Sequence, residues 1–413
     1  MLPESVRARL CGPGRSSLIP NKMPFAAIRQ FPLRLKVPVR LSLLRAICVA
    51  IVASYALACL WPFDLHPKNN AGWRQGSKSF RLGWQSIAYS EKELELGGQH
   101  DPALEAGSIS IEIWLRPRIR SDHEIHSILT LYDGTDPENL MIAEWQSALL
   151  MRTAVLNAQG ERRYRETGLS AALPEGGRSL ITVTSGRSGT VFYLEGNPVR
   201  SWPRLLMRPE ILRGRIILGT SSRGKNWWSG EVFGLAILRT TLSPADVLRR
   251  YRLWTGGRSE ELKAEEGLAA LYFFNEGGGR KIWDHSPFGN SLLLPEYFEV
   301  FRKTVLHPPW NDDRISRSDL EDIVSNILGF IPFGFFYFIY RRGVGSGSWL
   351  REVLITGLAA AAISMAIELI QVYLPVRDSS LMDFICNVVG ACAGMLPAAV
   401  IPRHWIGSRP AAS

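Results

Sequence analysis

The apolar residues of this chain are gathered into two places. One run lies at about 46–61, and a block extends from about 322 to the C-terminus, with roughly 260 polar, mixed residues between them. The mean hydropathy of +0.01 averages this division away. A chain divided in this way is part membrane-embedded and part water-soluble, and 413 residues allow two or three domains.

The first run, ICVAIVASYALACLW, carries no charge, and 41–44 extend it toward the roughly 20 residues a span needs. The block divides into three further runs: 322–340, stopped by Arg341 and Arg342; 352–374; and 381–401, ending before Arg403 and His404. Each can cross a hydrocarbon core of about 30 Å. A cleaved signal competes for the first run, because Ala56-Leu57-Ala58 resembles a small-residue cleavage site ahead of Cys59. The long basic region before it, and Ala56 where a lipoprotein signal has Leu, count against cleavage.

The formal net charge is +10. Arg7, Arg9, Arg15, Lys22, Arg29, Arg34, Lys36, Arg40 and Arg45 are opposed only by Glu4. Directly ahead of an apolar span, such a segment retains that end in the cytoplasm, which displaces nucleic-acid binding as its explanation. Met23 is an alternative start. Both termini are therefore expected inside, with Arg341, Arg342, Arg351, Arg403 and Arg409 on the inner side and Arg377 alone in an outer loop, 375–380. The long polar stretch then lies outside. Of the five cysteines, Cys48, Cys59, Cys386 and Cys392 lie in apolar runs, Cys11 lies in the basic segment, and none lies in the polar stretch. That stretch must hold together by core burial rather than disulfides, and no zinc spacing occurs.

Between 65 and 305 the pattern becomes short alternating runs. SISIEIWL at 108–115 reads as a half-buried strand, as do 125–131, 149–155, 180–184, 191–194, 215–218 and 232–238. Asp133-Gly134, Gly176-Gly177, Gly196-Asn197-Pro198 and Gly277-Gly278-Gly279 punctuate them. Many short strands at this spacing predict an all-β sandwich. One helix is expected in SPADVLRRYRLW, capped by Ser243 with Pro244 at its first position.

SISIEIWLRP, VFYLEGNPV and GEVFGLAILRTTLSPADVLRRY together resemble the concanavalin A-like lectin/glucanase and laminin-G sandwiches. LAALYFFNEGGGRKIWDHSPFGN is similar to that family's opening strand, yet comes last here. The resemblance implies a jelly roll that binds glycans, sometimes with calcium. Trp227 and Trp228, in a turn-rich segment, are the residues that could stack on sugar rings, against a core role for at least one of them. Asp133, Asp136 and Glu138 could hold calcium through oxygen ligands, against a solvated acidic loop. No metal or other cofactor is otherwise expected. A glycosidase pair of carboxylates is not recognisable, since Glu112 lies on an apolar strand.

The apolar block carries buried polarity. Asp322, Asn326 and Gly329 open the second span with the spacing D-x-x-x-N-x-x-G, and Asp383, Asn387 and Gly390 open the fourth with the same spacing. Each triplet shares one helical face. The third span adds Glu368 and Gln371, one turn apart, with Ser364 a turn further in. A carboxylate in hydrocarbon is costly, so these groups should face the bundle interior or a wet cavity near the outer surface. They could simply hold the bundle together, or they could form a ligand or reaction site. Gly390 and Gly394 allow a close helix approach, and Pro332 interrupts the second span.

Trp61-Pro62-Phe63, then Asn326, Phe330, Pro332 and Gly334, then Glu368 and Gln371, then Pro375, Arg377, Asp383, Asn387 and Gly390 form an ordered set that resembles the VanZ family. The resemblance implies a bacterial envelope protein and no agreed activity. The expected order is a basic cytoplasmic tail at 1–40, a first span at 41–63, the sandwich at 65–305, a VanZ-like region with three spans at 318–402 and a cytoplasmic tail at 403–413. The fold class is a four-helix transmembrane bundle plus a concanavalin A-like jelly roll. The expected location is the inner membrane, with the sandwich periplasmic. The expected partners are the bilayer and an envelope polysaccharide or glycoconjugate. The expected function is glycan binding outside, coupled to an outward-facing polar pocket of Asp322, Asn326, Glu368, Gln371, Arg377, Asp383 and Asn387. The alternatives are a membrane enzyme acting on a lipid-linked glycan, for which no nucleophile motif speaks, or an anchor that displays the lectin-like domain.

Overall fold

Alternation of apolar and polar side chains builds the middle of the chain into two antiparallel sheets packed face to face. The computed structural model describes residues 40–74, 76, 79–94, 108–118, 124–157, 159–207, 213–308, 317–345, 347–375, 377–403 and 406. The basic segment expected at 1–40 lies outside them except for Arg40, as does most of the tail after 403.

In one sheet the order is β1 (Gly72–Trp73), β2 (Phe80–Leu82), β13 (Gly230–Leu238), β4 (Ile109–Pro117), β9 (Ser179–Gly186), β10 (Gly189–Leu194) and β11 (Asn197–Trp202). β14 (Leu268–Tyr272) pairs with the second half of β13, beyond the part of that edge taken by β2. In the other the order is β15 (Lys281–Ile282), β16 (Leu292–Leu293), β3 (Ala88–Leu94), β12 (Gly214–Leu218), β5 (Ile125–Tyr132), β6 (Leu140–Trp145), β7 (Ala148–Leu156) and β8 (Arg162–Leu169). Ile109, Ile111, Ile113 and Leu115 of β4 share one core with Leu129, Leu131, Ile142, Ile216 and Leu218 of the facing sheet. The two-residue period of a strand puts them there.

The opposite face of β4 carries Glu112, which the helix α2 (Pro244–Thr255) covers. Ser243 caps α2 in a capping box with Asp246, as its sequence predicts. Arg250 of α2 donates to Glu112 through Nε at 3.0 Å and Nη2 at 2.6 Å, and Trp254 Nε1 adds a third donor at 2.9 Å. Glu112 and Arg250 are both fully buried. The mid-strand acid is therefore a pin for α2, and its charge is matched where no water can reach it.

Among the described residues, four helices are long and apolar enough to cross a membrane: α1 (Leu41–Leu60), residues 320–344 of α3 (Arg317–Val344), α4 (Trp349–Gln371) and α5 (Leu381–Ala399). α3 continues through Pro332. α3 and α5 meet backbone to backbone. A Cβ at Gly334 would strike the carbonyl of Ala391, one at Gly390 that of Ile327, and one at Gly394 that of Ile331. At the end of the bundle away from the sandwich, Arg341 Nε pairs with buried Glu352 at 3.0 Å. Arg342 donates to the carbonyls of Ala398, Ala399 and Ile401, closing the end of α5.

The sandwich is fastened to the helices by the segment that follows β16. Phe298 N–H donates to Pro67, and Phe301 and Arg302 N–H both donate to Ser222. His307 then pairs with Ser380 as a short parallel bridge, its N–H donating to Ser379 O at 2.8 Å while Leu381 N–H returns to His307 O at 3.1 Å.

Candidate functional site at the junction of sandwich and helices

All four membrane helices contribute polar groups to the end of the bundle that faces the sandwich. Glu368 on α4 is almost wholly buried, and its Oε2 accepts the Ser380 N–H at 2.8 Å. The Ser379 hydroxyl reaches the same carboxyl. Ser380 in turn caps α5, its Oγ accepting the Asp383 N–H at 3.3 Å. Asn326 of α3 reaches the Asp383 carboxyl, and Asp322 lies close enough to act on its charge. Gln371 Nε2 donates to Cys59 O at 3.0 Å, and Arg377 Nη2 donates to Trp61 O at 2.9 Å, so both close the end of α1. Asn387 Nδ2 donates to Ser364 Oγ at 3.0 Å.

These contacts join Glu368, Asp383, Asn326 and Asp322 through Ser380, whereas Gln371 and Arg377 bind carbonyls at the end of α1 and Asn387 bonds Ser364. Glu368, Gln371 and Asn387 are buried, Asn326 and Asp383 are half-buried, and Asp322 and Arg377 are exposed. The repeated D-x-x-x-N-x-x-G is symmetric only in sequence. Gly390 carries the α3–α5 contact, whereas Gly329 has open space at its Cβ position and offers its carbonyl to Tyr55 Oη at 2.7 Å.

Two acceptors in the cluster are unspent. Gln371 Oε1 and Asn387 Oδ1 are buried without a hydrogen-bond partner. Exchanging O and N of Asn387 leaves its nitrogen unpaired instead, and exchanging those of Gln371 would set Oε1 against the Cys59 carbonyl, two acceptors face to face. A buried unsatisfied polar group costs about 1–3 kcal/mol, so each amide invites a donor from water or a ligand.

Above the helices, the turn 221–228 between β12 and β13 touches the loop between α4 and α5. Lys225 Nζ lies 2.5 Å from Asp378 Oδ2. Two residues on, Trp227 is half-buried, packed edge-on against Trp84 at 5.9 Å and Phe298 at 6.4 Å between ring centroids. Trp84 is 59% exposed. The stacking role expected of Trp228 fails on its placement. It is fully buried in the sandwich core, with Nε1 donating to Glu144 at 2.5 Å, whereas its neighbour Trp227 stays half-buried at the surface. Trp84, which supplies the exposed aromatic face, was not singled out from sequence. Its signal is a lone tryptophan in the turn after Gly83, and it meets Trp227 only across the sheet.

The acidic loop does not fit a calcium ion. Asp133 is held by Thr135 and by Arg213 and Arg162, Asp136 by Arg302 and Arg223, and Glu138 by the Ser222 N–H at 2.7 Å. Asp133 and Asp136 meet separate arginines and Glu138 a backbone N–H, rather than one common centre. Burial raises the Glu138 carboxyl above its ordinary value. Burial works the same way on Asp136, but the hydrogen bond and charge of Arg302 outweigh it and hold that carboxyl low. Among the described residues no group of three or more His, Cys, Asp or Glu could hold a metal ion.

Residues 267–402 match the VanZ/LLP1 family model. This VanZ-like region takes in α3, α4 and α5 with the last strands of the sandwich, and the expected set from Asn326 to Gly390 lies inside it. No curated protein matches the chain. Among solved structures, the sandwich is similar to a crystal structure of a receptor binding domain at 14% identity and TM-score 0.35, covering 46% of this chain and 45% of that one. It is also similar to the botulinum neurotoxin type G receptor binding domain, at 13% identity and TM-score 0.31, covering 45% of each. A third likeness is to the Ruminococcus gnavus IT-sialidase CBM40 bound to α2,3-sialyllactose, at 12% identity and TM-score 0.29, covering 40% of this chain and 98% of that one. The chain spans under half the length of the first two. At such scores the likeness assigns neither a fold family nor a ligand.

Proposed function

We propose that this VanZ-like membrane protein binds an envelope polysaccharide or glycoconjugate through its sandwich and passes that event to a polar pocket among its helices. One observation carries the reading. Lys225, which holds the VanZ-like loop through Asp378, and Trp227, which backs the exposed Trp84, stand two residues apart in one turn. A sugar stacked on Trp84 would load the same turn that grips the loop, and the loop is tied through Ser380 to Glu368. The unspent Gln371 and Asn387 acceptors are what a pocket for a polar headgroup or for water would use.

In this reading the sandwich is of the concanavalin A-like kind and lies outside the bacterial inner membrane, with both chain termini in the cytoplasm. The placement of Arg341, Arg342 and Arg351 in the terminal turns, and of Arg403 just past the last helix, at the end remote from the sandwich supports that orientation. The pocket comprises Asn326, Glu368, Gln371, Asp383 and Asn387, with Asp322 and Arg377 at its mouth.

The test uses the full chain in lipid nanodiscs. Cell-wall and capsular polysaccharides are added, and amide hydrogen exchange is followed at 377–383. A bound polysaccharide should protect or deprotect this loop in the wild type. Trp84→Ala should abolish binding, while Lys225→Ala should retain binding but lose the exchange response. Binding with no change in the loop of the wild type refutes the coupling, and binding that survives Trp84→Ala refutes the proposed surface.

A further inference from the structure

A second feature lies at the opposite end of the bundle and is independent of the glycan reading. α1 and α3 pack together near the start of α1 through Leu41 and Leu44 against Phe338, Ile339 and Gly343, but on the outer side of that contact their surfaces diverge. They leave an open groove of about 650 Å³ lined by Leu41, Ser42, Arg45, Ala46, Val49, Ala50, Tyr340 and Val344. That volume falls within the roughly 300–1,000 Å³ typical of small-molecule sites. Small side chains make the groove: Ala46 and Ala50 lie one turn apart on α1, where larger residues would fill it. Val49 and Val344 are 62% and 54% exposed, so its apolar wall faces outward from two helices that span the membrane.

The polar part of the groove is confined to one end. A helical side chain leans toward the N-terminus of its helix, so the Arg45 guanidinium rises toward the level of Ser42, at the edge of the span. Of the other cations at that end, Arg40 and Arg351 are exposed and do not line the groove, and the rest are engaged. Arg341 is paired with Glu352, and Arg342 and Arg403 are spent on helix-end carbonyls. Arg45 is exposed and, among the described residues, has no carboxylate paired with it. An apolar channel in the hydrocarbon layer ending at an unmatched guanidinium, a serine and a tyrosine complements a phosphate carried on an acyl chain.

We propose that this groove seats one acyl chain of an anionic phospholipid, with its phosphate on the Arg45 guanidinium and the chain lying over Ala46 and Ala50. The occupant comes from the surrounding bilayer, since the groove opens to it along its length.

The test is native mass spectrometry of the delipidated full chain titrated with phosphatidylglycerol, phosphatidylcholine or inorganic phosphate. The wild type should retain phosphatidylglycerol in preference to phosphatidylcholine. Arg45→Gln should weaken that retention about fivefold, the value of one arginine at an anionic surface. Ala46→Phe, which fills the groove, should weaken retention of both lipids. Unchanged melting temperatures show that the variants are folded. A photocrosslinking residue in place of Val49 should yield a phospholipid adduct. Adducts to residues 1–39 or to a second copy of the chain would overturn the proposal. So would retention unaffected by both substitutions, or full displacement of the lipid by inorganic phosphate.

Discussion

The Glu368 carboxylate accepts the backbone N–H of Ser380 at 2.8 Å, across the loop that joins α4 to α5. An acid inside a membrane helix is thereby used to hold the start of its neighbour. Because Ser380 is both the cap of α5 and the partner of His307, the same contact ties the bundle to the sandwich.

Removing this acceptor should loosen the loop. Glu368→Ala leaves the part-buried Ser380 N–H without its acceptor, at a cost of about 1 kcal/mol. Glu368→Gln keeps an acceptor and should cost clearly less. Thermal melts in detergent, with hydrogen exchange at 377–383, separate the two. Equal stability of Glu368→Ala and wild type would deny the contact its structural role.

Close helix approach gives a paired prediction. Gly390→Leu and Gly394→Leu place side chains against the carbonyls of Ile327 and Ile331 and should prevent α3 and α5 from docking. Gly357→Leu, with nothing near its Cβ position, should be tolerated. Protein yield and monodispersity after extraction report the difference, which should exceed the roughly 1–3 kcal/mol of ordinary overpacking because backbone is struck.

The adjacent tryptophans should separate cleanly. Trp228→Ala empties a core position and removes the Nε1–H donated to Glu144, for a loss of about 3–5 kcal/mol in the sandwich. Trp84→Ala, at a site 59% exposed, should change the melting temperature little. The proposed function places its effect in polysaccharide binding instead.

Lys225 and Asp378 are 47% and 39% exposed, so solvent screens their attraction. A double-mutant cycle with Lys225→Ala and Asp378→Ala should give a coupling of about 0–1 kcal/mol that falls further in salt. A large, salt-independent coupling would show that the contact is dry.

Acid should weaken the sandwich. Burial alone would raise the Asp133 carboxyl, but Thr135, Asn139 and Arg162 outweigh it and hold it below its ordinary value. Its stabilising contribution is therefore complete above the unfolded pKa of about 3.9 and is lost as pH falls through the lower folded value. Melting temperature should drop on acidification below about pH 4. Asp133→Asn should be less stable at neutral pH and should show a shallower acid limb.

What the sequence determined is whatever follows from local period and composition. The four spans, the strands β4, β9 and β13, and the capped α2 each follow from their own residues. Alternation fixes a strand, an uncharged run of about 20 fixes a span, and Ser243-Pro244 fixes a helix start. The polar face of Glu368, Gln371, Asp383 and Asn387 was legible because acids and amides are out of place in an apolar run. Tertiary structure decided which partner each group meets, since partners lie far apart along the chain. The sequence could not say that Trp228 turns into the core while Trp227 meets Trp84, or that Glu112 is matched by Arg250. Nor could it break the symmetry of the two D-x-x-x-N-x-x-G runs. Only the packing of α3 against α5 buries Gly390 and leaves Gly329 in the open, because a helix presents one face at a time to a single neighbour.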